Sequence, residues 1–97
     1  MTERIRTRRL AVLRYLAGLP EDGDGALTDD VRRFIRDDVC MANSDLRVLL
    51  REGLVESRAH RGLRVREGRP FVGRYVTWHI TRAGRRRVRD ADRGIAA

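Results

Sequence analysis

The sequence predicts a single α+β domain: three helices, a long β-hairpin and a C-terminal helix. Three observations carry this. Apolar residues recur at three- and four-residue steps as far as Glu52, which is helical spacing. From Leu54 the period falls to two, which is strand spacing. Ninety-seven residues with 41% hydrophobic content supply one small core and not two.

The first helix is expected over residues 3–19, with Ile5, Leu10, Val12, Leu13, Leu16 and Leu19 on its apolar side. Gly18 and Pro20 close it. Glu21 to Gly25 is a polar, glycine-rich loop. A second helix is expected over 28–37. Thr28 is its N-cap, Asp29 and Asp30 favour its first turn, and Val31, Phe34 and Ile35 form its buried stripe. Asp37-Asp38 ends it or begins the turn. A third helix is expected over 43–52, with Leu46, Leu49 and Leu50 as its apolar face. Asn43 or Ser44 caps it, or Cys40-Met41-Ala42 forms an earlier turn of the same helix. Gly53 stops it, since glycine takes φ > 0 without penalty.

The hairpin is expected over 54–80. Leu63-Arg64-Val65-Arg66 alternates apolar and basic, and Glu67-Gly68-Arg69-Pro70 is a turn signal that puts the tip near Gly68. Val72, Val76, Trp78 and Ile80 share one face of the returning strand, and Arg74 interrupts that face. Gly62 is a candidate bulge. Thr81 caps a last helix over 82–93, whose weak apolar stripe is Val88, Ala91 and Ile95.

Charge is segregated along the chain. All 22 basic residues are arginine, against 14 acids, for a net charge of +8. Residues 1–19 carry +4, residues 20–46 carry −5, and residues 47–97 carry +9. The second half is therefore the anion-facing region, and the acidic middle argues against a uniformly basic binder. An all-arginine chain is expected from GC-rich coding. It also suits phosphate forks and base edges, which arginine engages better than lysine.

Two local patterns narrow the class. They are Leu46-x-x-Leu49-x-x-x-Gly53-Leu54-Val55 and Trp78-x-Ile80-Thr81-x-x-Gly84. With the order of elements, they resemble the winged helix-turn-helix superfamily of transcription regulators, in its small MarR-like and PadR-like forms. The resemblance implies binding to double-stranded DNA by a small transcriptional regulator. Its third helix would enter the major groove, and its wing would lie on the backbone or in the minor groove. A homodimer is expected, because one short module seldom supplies enough specificity. The first and last helices, with Val88, Ala91 and Ile95, are the expected dimer surface.

The residues that fit this chemistry lie in two groups. On the third helix, Arg47 and Arg51 are four apart and suit paired bonds to guanine. Asn43 suits adenine or an N-cap, Ser44 a DNA contact or an N-cap, and Asp45 the first-turn dipole ahead of a contact to cytosine. On the wing are Arg58, Arg61, Arg64, Arg66, Arg69 and Arg74. They would track phosphates, with Arg69 at the tip, or simply protect an exposed hairpin edge. About six neutralised phosphates would give a log K against log salt slope near −5. Arg85-Arg86-Arg87 touches phosphates or solubilises the last helix.

Other residues read more simply. His60 and His79 are hairpin surface residues ahead of pH sensors, and Trp78 is core ahead of a stacking platform. Tyr75 lies on the opposite face and is free to do either. Cys40 is a small buried hydrophobe ahead of a redox thiol. There is no nucleophile elbow, no phosphate-binding glycine loop and no metal-ligand spacing, so no enzyme, cofactor or metal is expected. With no signal-like or membrane-length apolar run, a cytoplasmic location without membrane association is expected. A protein-interaction module and an RNA-binding domain are the alternatives.

Overall fold

The computed structural model describes residues 3–36 and 39–94. Asp37, Asp38, the Cys40 side chain and Ile95 lie outside the described residues. The fold is α+β. Among the described residues the helices are α1 (Glu3–Ala17), α2 (Thr28–Ile35), α3 (Val39–Arg51) and α4 (Arg82–Asp92). Three antiparallel strands are β1 (Ala26–Leu27), β2 (Val55–Arg66) and β3 (Arg69–Ile80), in the order β1-β3-β2. No helix among the described residues is long and apolar enough to cross a membrane.

Helix α1 buries Val12, Leu13 and Leu16 and stops at Ala17, two residues before the expected end. Gly18 donates its N–H to the carbonyls of Arg14 (3.1 Å) and Tyr15 (3.2 Å), which tightens the final turn. The polar loop leads into β1, a two-residue strand that no periodicity could signal. Its Ala26 pairs with Trp78, and Leu27 with Thr77.

Helix α2 departs from expectation at both ends. Its N-cap is Leu27, whose N–H donates to Asp30 Oδ2 at 3.0 Å. Thr28 is the first helical residue, and its hydroxyl accepts from the Trp78 indole N–H at 2.8 Å. The helix ends at Ile35 because Arg36 turns left-handed, with φ 54°. Only Val31 is fully buried. Phe34 stays half exposed and stacks on Tyr15 of α1, ring centroids 4.7 Å apart.

Helix α3 begins a full turn before Asn43, so the earlier-turn reading is the correct one. Its buried stripe is Ala42, Asp45, Leu46 and Leu49, which keeps helical spacing. That stripe is rotated from the expected one, and Leu50 is 40% exposed. The helix closes with Gly53 at φ 75°. Gly53 N–H donates to Leu50 O at 3.0 Å, and Leu54 N–H to Leu49 O at 2.9 Å. This is the paired closure that a left-handed residue permits.

The hairpin register runs unbroken from Val55↔Ile80 to Arg66↔Arg69. Gly62 pairs directly with Gly73, so there is no bulge. The turn is Glu67-Gly68, both with positive φ (51° and 76°), as a two-residue hairpin loop requires. Arg69 and Pro70 belong to β3 rather than to the turn. Each strand has twelve residues, about 40 Å of extended chain. The distal half projects from the core, and the longest dimension of the molecule is 47 Å.

Helix α4 locks onto the base of the hairpin through Thr81. The Thr81 hydroxyl accepts from Gly84 N–H at 3.1 Å and donates to Gly53 O at 2.7 Å. Val88 is buried in the chain's own core, so it is not available to the expected dimer surface. The helix ends at Asp92, with Arg93 as its cap. Arg85 donates to Ala17 O at 3.2 Å and so caps the end of α1. That gives one member of the Arg85-Arg86-Arg87 run a structural task.

Candidate nucleic-acid interface

The alternation of β2 and β3 sorts the hairpin side chains onto two faces. Cross-strand partners share a face. The first face carries Ser57, Ala59, Arg61, Leu63 and Val65 of β2, opposite Trp78, Val76, Arg74, Val72 and Pro70 of β3. The second carries Glu56, Arg58, His60, Arg64 and Arg66, opposite His79, Thr77, Tyr75, Phe71 and Arg69. The six expected wing arginines are therefore divided. Arg61 and Arg74 stand directly opposite each other on the first face. Arg58, Arg64, Arg66 and Arg69 lie on the second.

The first face meets α3. Between them lies an open cleft of about 530 Å³, lined by Asn43, Arg47, Leu50 and Arg51 of α3, Thr28 of α2, and Ser57, Val76 and Trp78 of the sheet. Residues 43, 47, 50 and 51 follow helical spacing, so they present one edge of α3 to the cleft. Asn43 lies inside the helix and is not its cap. Ser44 is exposed beside this edge but does not line the cleft. The cleft thus unites Asn43, Arg47 and Arg51 with the sheet face that carries Arg61 and Arg74 farther out. Thr28, Leu50, Ser57 and Val76 had no sequence signal as lining residues. Only the break made by Arg74 in the apolar row hinted that this face leaves the core.

The second face is closed on itself. Arg64 lies over the Tyr75 ring at 4.5 Å, and His60 stacks on the same ring with centroids 5.0 Å apart. Arg66 lies over Phe71 at 5.3 Å. Arg58 pairs with Glu56 at 2.7 Å. Thr77 Oγ1 sits between two imidazoles, 2.7 Å from His60 Nε2 and 2.9 Å from His79 Nε2. A hydroxyl can donate to one ring and accept from the other, which links both histidines through one atom. Both are half-buried and bonded, not loose surface residues. Burial chiefly, then the charges of Arg58 and His60, hold the His79 imidazole below its ordinary pKa, against the opposing pull of Glu56 and Asp24. Tyr75 does face away from Trp78, but its ring is already engaged.

Asp45 has a role that its sequence position disguised. It is fully buried and receives Arg8 Nη2 at 3.0 Å and Arg9 Nε at 3.1 Å. Its task is to tie α1 to α3, not to complement a first-turn dipole. The other described carboxylates that form ion pairs are Asp92 with Arg14, Asp29 with Arg32 and Arg33, Glu21 with Arg85, and Glu56 with Arg58. Among the described residues, none of these acids pairs with Arg47, Arg51, Arg61 or Arg74. Within the acidic middle, Asp45 joins α1 to α3, Glu21 meets Arg85 of α4, and Asp29 and Asp30 act within α2 and at its cap.

In electrostatic terms, one side of the molecule presents four arginines, an asparagine and an apolar floor. A planar guanidinium suits phosphate oxygens and the major-groove edge of guanine alike. Two of the four project from a helix and two from a β-ribbon, the two elements that B-DNA grooves admit. In comparisons with known proteins, the chain matches no family model and no curated sequence.

Proposed function

We propose that the chain is a winged helix-turn-helix domain that binds double-stranded DNA and serves as a small transcriptional regulator. In this reading α2 and α3 are the helix-turn-helix, α3 is the recognition helix and the hairpin is the wing. The observation that carries it is the shared side of Arg47, Arg51, Arg61 and Arg74, with Asn43 between helix and sheet. Arg47 and Arg51 would read guanine in the major groove, Asn43 adenine, and Arg61 with Arg74 would hold phosphates.

The test is fluorescence anisotropy of a labelled mixed-sequence duplex, titrated with protein at several salt concentrations. Four arginines on phosphates or in grooves give an expected log K against log salt slope of about −3 to −4. This is shallower than six wing arginines would give, because four of those six are turned to the other face. A slope shallower than about −2 would defeat the reading. Absence of binding at the lowest salt would favour a protein-docking role, and preference for structured RNA an RNA-binding one.

A further inference from the structure

The outer half of the first hairpin face is apolar beyond what folding needs. Past the Arg61↔Arg74 pair come Leu63↔Val72 and Val65↔Pro70, the last two pairs on that face before the turn. Leu63 is 73% exposed, Val65 70% and Val72 65%. They have no core to join, since the helices pack only against the base of the sheet. The opposite face, by contrast, stacks Arg64 and His60 on Tyr75 and Arg66 on Phe71, which is 37% exposed. One side of the arm is thus finished and the other left open.

We propose that this open tip is an apolar wedge that enters the DNA minor groove, parts a base step and bends the duplex. The proposal rests on the DNA-binding reading and specifies what the arm does there. Leu63 is of a side-chain type that unstacks base steps when pressed into a minor groove, and Val65 lies next to it on the same face. Arg61 and Arg74 face each other at one step of the ribbon, an arrangement that costs stability by repulsion unless an anion lies across it. No residue on that face, from Val55 to Val65 or from Pro70 to Ile80, is acidic. Along that face a phosphate row meets no acid, the nearest being Glu67 in the turn, and the arginines become clamps behind the wedge. The same pair argues against a second copy of the chain as the occupant, because face-to-face association would bring four guanidiniums together.

Geometry couples entry to bending. From Arg61 to Arg66 the arm advances about 17 Å. A two-stranded ribbon with side chains is wider than the ~6 Å minor groove of B-DNA, so entry requires the groove to open. Opening it by unstacking kinks the duplex toward the major groove, by about 20–90° in proteins of this kind. Pyrimidine–purine steps, which deform most easily, are the preferred sites.

The experiment uses the full chain and a duplex of about 26 base pairs, labelled at both ends for energy transfer, with a central TA step. A second copy of the duplex carries 2-aminopurine at that step. The expected result is a shortened end-to-end distance and a rise in 2-aminopurine fluorescence on binding. The double variant Leu63→Ser, Val65→Ser should bind within about threefold of the parent in low salt, where phosphate contacts dominate, and lose both signals. Its circular dichroism should match the parent, since neither side chain touches the core. Arg61→Ala with Arg74→Ala should weaken binding at least about tenfold. Binding with no shortening and no fluorescence rise overturns the wedge and leaves the DNA reading intact. Equal bending by the serine variant also overturns it. A dimer in sedimentation that Leu63→Ser dissolves would assign the tip to self-association instead. Failure to bind any duplex removes the DNA reading itself, and the wedge with it.

Discussion

Asp45 is a fully buried carboxylate held by two arginines. Its carboxylate has no access to water and depends on Arg8 and Arg9, whose side chains are 14% and 16% exposed. Removing one partner of a buried pair leaves the rest uncompensated, at about 3–5 kcal/mol. Because both arginines keep some contact with water, Asp45→Ala is expected to cost about 3 kcal/mol. In a domain of this size that lowers Tm by more than about 10 °C. Urea and thermal unfolding check it, and a loss below about 1 kcal/mol would mean the pair merely breaks even with its desolvation. His79 contributes a pH dependence near neutrality. Its folded pKa lies below the ordinary value of 6.5, so the unfolded chain binds the proton more readily. Stability is then full above 6.5 and falls as pH drops toward the folded value. Urea midpoints from pH 8 to pH 5 should decline, and His79→Gln should flatten the decline. An unchanged profile in the variant would place the sensitivity elsewhere.

At the scale of elements, the joint between α3, β2 and α4 leaves no room for a side chain at Gly84. A Cβ on Gly84 would stand 2.1 Å from Leu54 O and 2.6 Å from Ile80 Cγ1. The nearest obstacle is backbone, so α4 would have to move. Gly84→Ala is expected to cost about 2 kcal/mol, in the range of overpacked cores. Gly53 is a useful contrast. It has open space around its missing Cβ but a φ of 75°, so Gly53→Ala should cost only about 1 kcal/mol, from backbone strain. Denaturant midpoints of the two variants separate crowding from conformational strain. If Gly84→Ala were the milder change, the close approach of α4 to Leu54 would be wrong. The element pattern was largely legible beforehand. Helical spacing ended at Gly53, the two-residue period began at Leu54, and Thr81 marked the last cap. The start of α3 was not, because Asn43 and Ser44 are good capping residues. The buried stripe through Ala42 and Asp45 outweighs them, and an aspartate in that stripe does not announce itself as core.

For the whole molecule, charge placement separates the proposed binding from stability. The proposed function assigns Arg61 and Arg74 to DNA, whereas Arg64 and Arg66 cover aromatic rings. Replacing the first pair with alanine should reduce the salt slope by about 2, one per lost phosphate contact. Replacing the second pair should leave the slope nearly unchanged and destabilise the hairpin by about 1 kcal/mol or more, from lost cation–π contact. Anisotropy and thermal unfolding on both variants decide it. Equal effects of the two pairs on the slope would mean that both faces meet the polyanion. The candidate site was half legible. Its arginines stood out by number and spacing, but their division between faces depends on register, and register on where the turn falls. Two candidate turn residues, Arg69 and Pro70, lie in the strand instead.

By itself, the sequence determined the α+β class, the order of the four helices and the hairpin, and an excess of positive charge in the second half. Those follow from period, capping and composition, which are properties of neighbours along the chain. Only the tertiary structure decided which arginines share a face, which acids are paired and which apolar residues stay in water. Those depend on side chains far apart in sequence. Arg8 reaches Asp45 across 37 positions, and Trp78 reaches Thr28 across 50. No local pattern encodes such distances, because burial is settled only when the helices close over the base of the sheet and leave its outer half uncovered.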